Sequence, residues 1–213
     1  MNKIYYTGKT QFEKVISLDL IRIDFRPVYR YWDEFDYIVF TSKNGVKSID
    51  RSIINWQKIP TLCIGDKTAQ LVESLGGKVK YKGRNTTSRE FGFDLIPYVN
   101  GKRVLIVGVE TPPYDLNNFL KENGAITSFE VGYETKIKSS QLKIDKENAI
   151  IIITSPKHYN AFKINYGWRE EYIAICIGPT TYNELPNDVR KYQSEDMTVE
   201  SCIKKAKEIL NNL

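Results

Sequence analysis

Two segments of this 213-residue chain repeat at one fixed separation, and that repeat limits the fold more than any other feature. Tyr37-Ile-Val-Phe-Thr-Ser-Lys-Asn-Gly45 parallels Ile150-Ile-Ile-Ile-Thr-Ser-Pro-Lys-His158, and Cys63-Ile-Gly-Asp-Lys-Thr68 parallels Cys176-Ile-Gly-Pro-Thr-Thr181. Thr41 and Thr154 stand 113 positions apart, as do Gly65 and Gly178. Two short matches sharing one offset are hard to reach by chance, so the chain reads as a duplicated unit. A weaker pair, Lys3–Gly8 and Arg103–Gly108, gives each copy an apolar strand ending in glycine. Amphipathic stretches follow each, leading to further strands expected over 20–29 and 125–134. Alternation of strand and helix favours parallel sheets covered by helices.

Local signals place the helices. Ser155-Pro156 is a strong start, because serine caps and proline suits the first helical position. Ser42 holds the matching cap. Thr87 and Glu90 have capping-box spacing. Leu71, Val72 and Leu75 form an apolar face ahead of the Gly76-Gly77 stop. Thr111-Pro112 is expected to open a helix that buries Leu116, Phe119 and Leu120 and ends at Gly124. Val199, Cys202, Ile203, Ala206, Ile209 and Leu210 mark a last helix. The segment 30–133 makes a complete unit by itself, whereas the first strand needs the C-terminal repeat. The expected fold is therefore α/β: two similar domains with parallel sheets flanked by helices, joined by a two-stranded β linker. Domain 1 takes 1–25 and 137–213, domain 2 takes 30–133, and the chain crosses near 22–30 and 131–137.

Composition removes several functions. Hydrophobic residues are 41% and charged residues 27%, ordinary for a globular protein. No apolar run approaches the roughly 18 residues of a membrane span, and the N-terminus lacks a signal-peptide core, so a cytoplasmic protein is expected. Cys63, Cys176 and Cys202 have no metal spacing and read as reduced, buried thiols; with one histidine, His158, no zinc site is expected. A net charge of +5 without a basic run suits an anionic small molecule better than nucleic acid. No GxGxxG follows the first strand and no P-loop is present. Ser155 and His158 lie three apart without an acidic partner or nucleophile elbow, so a catalytic serine is not supported.

In open α/β sheets, ligands bind beyond the carboxyl ends of the strands. Both Thr-Ser pairs, Thr41-Ser42 and Thr154-Ser155, and both Ile-Gly turns, at Gly65 and Gly178, sit where a strand leads into a helix. Such turns offer backbone N–H groups and the positive end of a helix dipole to carboxylates or phosphates. Four such turns on two domains would suit a large polyanion in a cleft between them. Each residue also has a plain structural role open to it. Ser42 and Ser155 are caps in any case, Thr68 and Thr181 could be caps, and Lys43, Lys67 and Lys157 could be solvated charges.

Several of these segments carry a resemblance to the uroporphyrinogen-III synthases. They are Phe40-Thr-Ser-Lys-Asn-Gly-Val46, Ile64-Gly-Asp-Lys-Thr-Ala69 with Leu75-Gly76, Gly101-Lys-Arg-Val-Leu-Ile106, Leu120–Ala125, Val131-Gly-Tyr-Glu-Thr135, Ile153-Thr-Ser-Pro156 and Ile177-Gly-Pro-Thr-Thr181. The resemblance spans nearly the whole chain and lies in their order and spacing. It implies two α/β lobes joined by a β-ladder, one lobe discontinuous in sequence. It also implies closure of hydroxymethylbilane to uroporphyrinogen III, with inversion of the last pyrrole ring through a spiro intermediate and without metal or organic cofactor. The family's tyrosine falls on Tyr133, which the resemblance makes a hydrogen-bond donor to the departing hydroxyl; a hinge tyrosine packing against the linker is the alternative. Thr41, Ser42, Gly65, Lys67, Thr68, Ser155, Gly178, Thr180 and Thr181 carry over as substrate-carboxylate contacts. The implied partners are the substrate and, transiently, hydroxymethylbilane synthase, with the chain a monomer that binds neither nucleic acid nor membrane. Many relatives have an arginine where this chain has Gly8-Lys9, and a basic residue where it has Val109-Glu110-Thr111. Two rival readings are a non-enzymatic two-lobed cytoplasmic binder of an anionic small molecule and, last, a response-regulator-like domain.

Overall fold

The computed structural model describes residues 3–53, 55–84, 87–145 and 149–211. In chain order the elements are β1 (Ile4–Tyr6), β2 (Val15–Ser17), β3 (Ile21–Phe25), β4 (Tyr37–Phe40), α1 (Lys43–Asp50), β5 (Pro60–Cys63), α2 (Asp66–Ser74), β6 (Lys78–Lys82) and α3 (Ser88–Val99). Then follow β7 (Arg103–Val109), α4 (Leu116–Glu122), β8 (Ile126–Ile137), β9 (Ile150–Ile153), α5 (Pro156–Tyr166), β10 (Ile173–Cys176), α6 (Pro179–Glu184), β11 (Lys191–Gln193) and α7 (Val199–Asn211). Among the described residues, no helix is long and apolar enough to cross a membrane.

The chain divides into two compact units, one of Met1–Arg22 with Lys136–Leu213 and one of Ile23–Thr135. The strands β3 and β8, neighbours in one sheet, each contain a point where the chain passes from one unit to the other.

The first unit has the sheet order β11-β10-β9-β1-β2, with every ladder parallel. All four isoleucines of β9 are fully buried because helices cover both faces. Ile151 and Ile153 pack with Tyr159 and Phe162 of α5, while Ile150 and Ile152 pack with Cys202 and Ala206 of α7. The second unit has the order β3-β8-β7-β4-β5-β6, and its β4–β5, β4–β7, β5–β6 and β7–β8 ladders are parallel. Here Ile38 and Phe40 of β4 face Val46 and Ile49 of α1 and Val72 of α2, and Val39 faces Phe91 and Leu95 of α3.

The repeat maps directly onto these sheets. Both ends of β4 and β9, and both ends of β5 and β10, are 113 positions apart. Position in the sheet makes β7 the counterpart of β1 and β8 the counterpart of β2.

Three local expectations are corrected. The strand after β1 is the three-residue β2, with no helix between them, so the stretch from β1 to β3 is not a strand–helix–strand unit. A three-residue strand carries too little periodicity to register in sequence. Thr111-Pro112 does not open α4; Asp115 does, its side chain accepting from Asn118 N–H. Thr68 and Thr181 are not caps either. Each lies in the first turn of its helix with its residue buried, and the caps are Gly65 and Gly178.

Candidate functional site: a buried tyrosine and four strand-end turns

Tyr133 owes its place to an irregularity in β8. The β7–β8 ladder runs in step from Arg103↔Ile126 to Gly108↔Val131, and then Val109 pairs with Tyr133, leaving Gly132 as an extra residue. A bulge of this kind bends the strand and re-aims the next side chain. Only glycine fits there undisturbed, since a Cβ would lie 2.7 Å from both Ser48 Oγ and Val107 Cγ1. Hydrogen bonds hold the bulge: Arg26 N–H donates to Gly132 O (2.9 Å), and Glu110 N–H to Tyr133 O (3.1 Å).

The Tyr133 phenol, thus aimed, lies 2.9 Å from Ser42 Oγ, and either hydroxyl can donate. Ser42 caps α1, where Gly45 N–H donates to its Oγ at 3.3 Å. Burial raises the phenol's pKa above the ordinary tyrosine value, and the Ser42 hydrogen bond offsets part of that rise. The group is therefore a neutral hydroxyl at pH 7. Tyr133 and Thr41 line one cavity of about 460 Å³ with Ile106, Phe129, Pro112 and Tyr114. It lies at the carboxyl ends of β4 and β7, where the sheet geometry expects a ligand. The exposed surface of its wall is mostly apolar, and Ser88, Asp115 and Asn117 also line it.

The strand-end turns divide into two kinds. Ser42 and Ser155 fill their own helix starts, each side chain accepting from the backbone N–H three residues on. Gly65 and Gly178 have no side chain to do so; Thr68 N–H donates to Gly65 O at 3.1 Å and Pro179 has no N–H, which leaves Asp66, Lys67 and Thr180 N–H without a side-chain cap. Thr180 and Lys67 are exposed beside these glycine turns. Asp66 opens α2 with a carboxylate, and Lys82 pairs with it at 2.7 Å. Thr41, Ser42, Gly65, Lys67, Thr68 and Tyr133 thus lie in the unit of Ile23–Thr135; Ser155, Gly178, Thr180 and Thr181 lie in the other. Within the first group, the structure joins Tyr133 to Ser42 directly and to Thr41 through the shared cavity.

Sequence reasoning missed Gly132 and Phe129. A glycine inside an apolar strand, as in Val131-Gly-Tyr133, is a recognised bulge signal and could have found the first. Phe129 carries no comparable mark. Glu110 is paired with Arg26, whose Nη2 lies 2.7 Å from Glu110 and 3.3 Å from Glu134. All three cysteines are buried, with Cys63 pushed up to about 11 and Cys176 to about 12 by burial. Among the described residues, no group of three His, Cys, Asp or Glu side chains could hold a metal ion.

A repeated parallel α/β unit with open polar turns at the strand ends defines the class of α/β proteins that bind small molecules beyond their sheets. The family model for uroporphyrinogen-III synthase HemD matches residues 11–204, and the chain belongs to that family. Among solved structures, the uroporphyrinogen-III synthetase of Helicobacter pylori 26695 is similar at a TM-score of 0.81 and 25% identity, covering 98% of this chain and 100% of that one. A mutant uroporphyrinogen III synthase from the extremely thermophilic bacterium Thermus thermophilus shares the fold at a TM-score of 0.64 and 14% identity, over 100% of each chain. No curated protein sequence matches the chain.

Proposed function

We propose that this chain closes hydroxymethylbilane to uroporphyrinogen III, and that Tyr133 with Ser42 handles the departing hydroxyl. The observation that carries the residue assignment is the 2.9 Å contact between Ser42 and Tyr133, whose side chain lines a cavity. The reading sets the hydroxyls in a directed chain: Gly45 N–H donates to Ser42 Oγ, Ser42 O–H to the Tyr133 oxygen, and Tyr133 O–H to the leaving oxygen. Such a chain polarises each successive bond, and its origin at the positive end of α1 adds to the effect.

The proton balance follows from the raised pKa. A phenol whose anion is disfavoured by burial donates a hydrogen bond without surrendering its proton. The pyrrole nitrogen lone pair expels hydroxide as the C–O bond breaks, and the pyrrole N–H proton completes a water molecule, leaving a neutral azafulvene. The substituted α-carbon of the last ring then attacks the azafulvene carbon, forming the spiro intermediate. Fragmentation breaks the old link to that ring and leaves an azafulvene on its neighbour; reclosure there through the last ring's other α-carbon inverts the ring, and the proton lost from that carbon replaces the pyrrole N–H given up when water left. The electron-rich pyrroles supply the driving force, and the protein supplies geometry.

Thr41, Gly65, Lys67, Thr68, Ser155, Gly178, Thr180 and Thr181 serve in this reading as carboxylate contacts. The open glycine turns are the better suited, because their N–H groups have no side-chain cap. The two units correspond to the family's two lobes, with β3 and β8 as the two-stranded linker. The chain acts as a cytoplasmic monomer and takes its substrate in a transient encounter with the synthase that makes it.

Incubation with hydroxymethylbilane, followed by separation of the isomers, tests the reaction: isomer III is expected, and the spontaneous isomer I alone refutes it. Tyr133→Phe is expected to lower kcat by roughly 10- to 100-fold with the fold retained, from the loss of one hydrogen bond to a developing charge. An unchanged rate removes Tyr133 from the mechanism.

A further inference from the structure

Asn117 and Asn118 stand side by side in the first turn of α4, and their side chains meet different surroundings. Asn118 donates from Nδ2 to Glu122 Oε1 at 2.8 Å on the exposed face. Asn117 lines the cavity that Tyr133 also lines, and its Oδ1 is buried with no hydrogen-bond partner. The roll of the helix fixes the difference. Asp115 caps α4 by accepting from Asn118 N–H, and Leu116 packs into the core with Leu120 and Phe91. One other buried side-chain oxygen among the described residues lacks a partner, Thr127 Oγ1, and Thr127 does not line the cavity.

A carbonyl oxygen taken out of water without a donor keeps its whole desolvation cost, so such an atom calls for a donor from outside the fold. The asparagine amide turns on a soft terminal torsion, which lets its oxygen meet a donor in the cavity without shifting α4. The rest of the lining says what kind of donor fits. Ile106 and Pro112 are apolar, and Tyr114 and Phe129 add aromatic rings. Phe129 lies against the bare backbone of Gly108, where a Cβ would come within 2.9 Å of its Cε2. Among the described residues no Lys or Arg lines the cavity, and Asp115 does, so a carboxylate is disfavoured there. The volume lies in the ordinary range for small-molecule sites.

A pyrrole ring meets these conditions, being flat and apolar with one polar group, an N–H donor. In hydroxymethylbilane the acetate and propionate arms sit on the two ring carbons farthest from nitrogen, and the hydroxymethyl group sits on a carbon beside it. With the N–H edge inward, both carboxylates point out of the cavity and the hydroxymethyl group shares it with Tyr133. We infer that this cavity seats the pyrrole ring that bears the hydroxymethyl group, and that Asn117 Oδ1 accepts from its N–H. The inference rests on the ring-closing reading for its ligand and deepens it by naming the ring and its second anchor. As hydroxide departs, positive charge grows on the pyrrole nitrogen and its N–H becomes a stronger donor, so the Asn117 bond tightens in the transition state. The amide oxygen is too weak a base to keep that proton, which goes on to the hydroxide.

Porphobilinogen, a single pyrrole with the acetate and propionate arms of that ring and an aminomethyl group in place of its hydroxymethyl, probes the seat without turnover. In ¹H–¹⁵N spectra of the full chain, the side-chain signal missing from Asn117→Leu identifies the amide. Saturation with porphobilinogen is expected to move that signal in the wild type. Asn117→Leu is expected to raise the Kd for porphobilinogen about tenfold, as for loss of one hydrogen bond. With hydroxymethylbilane it is expected to lower kcat/KM roughly tenfold, chiefly in kcat, and Asn117→Asp, which keeps an oxygen acceptor, to restore most of the loss. The melting temperature of Asn117→Leu should not fall, because an unpaired oxygen leaves no partner behind. An amide signal unmoved at saturation, an unchanged Kd, or a rate lost equally in both variants overturns the inference, as does a lower melting temperature with an unchanged rate. Porphobilinogen seated at Asn117 in a chain that forms only isomer I refutes the ring-closing reading and leaves the seat standing. Isomer III formed at the full rate by Asn117→Leu does the opposite.

Discussion

Acid is expected to weaken the unit holding β9 before it weakens the other, and the cause is a single imidazole. His158 is partly buried, desolvation disfavours its charged form, and its folded-state pKa falls to about 4 from an ordinary value of 6.5. The folded chain therefore binds this proton less readily than the unfolded chain. Neutral His158 contributes its full stability above the unfolded value, and that contribution is lost as the pH falls from 6.5 towards 4. Between pH 7 and pH 4.5 the difference in proton binding amounts to about 2 kcal/mol. In the other unit, Asp36 and Glu90 have lowered pKa values, through hydrogen bonds from the Arg103 and Thr87 backbone respectively. Their contributions are present above their ordinary carboxylate values and are lost at lower pH than the histidine's. Urea unfolding at pH 7, 5.5 and 4.5, read by pulsed hydrogen exchange on peptides from 150–176 and 37–63, separates the two units. The expected result is a midpoint that drops with pH for 150–176 and is flatter for 37–63. His158→Gln should remove most of the drop, whatever its stability at pH 7. An equal drop in wild type and His158→Gln refutes the reasoning.

Gly132→Ala should cost about 1–3 kcal/mol, the usual range for overpacking, and should lower kcat as well, because the bulge that aims Tyr133 cannot form undisturbed; a thermal melt with a turnover assay checks both. Gly45→Ala meets a backbone carbonyl and should destabilise to a similar degree, measured by urea unfolding. Native protein at pH 8 should resist alkylation by iodoacetamide at all three cysteines, and mass spectrometry should show labelling only after denaturation. Thr87→Ala removes a capping box and should cost about 1 kcal/mol, seen as a lower melting temperature.

How much was legible can be traced residue by residue. The correspondence of β4 with β9 and of β5 with β10 as repeat counterparts was plain, because a parallel strand buried on both faces needs a nearly unbroken apolar run, and such runs survive in sequence. The caps at Ser42, Ser155 and Thr87 were legible for the same local reason: a cap bonds a backbone group only three residues away. Gly65 and Gly178 were harder. Threonine near a helix start suggests a cap, yet here each threonine lies inside the first turn and the glycine is the cap. The start of α4 moved from Thr111-Pro112 to Asp115 because two prolines in a row, Pro112-Pro113, fit an extended stretch as well as a first turn.

The sequence by itself determined a duplicated α/β chain and the helix starts at Ser42, Thr87 and Ser155, since each depends on periodicity or on contacts within one turn. It marked Tyr133 but could not say what the phenol touches. That was decided by the tertiary structure, because Ser42 lies 91 residues away and is reached only when β8 bulges at Gly132 beside β7. It likewise could not distinguish Gly45 from His158 as counterparts. Whether a side chain fits there depends on how closely a neighbouring backbone approaches, and at Gly45 that is the Val107 carbonyl.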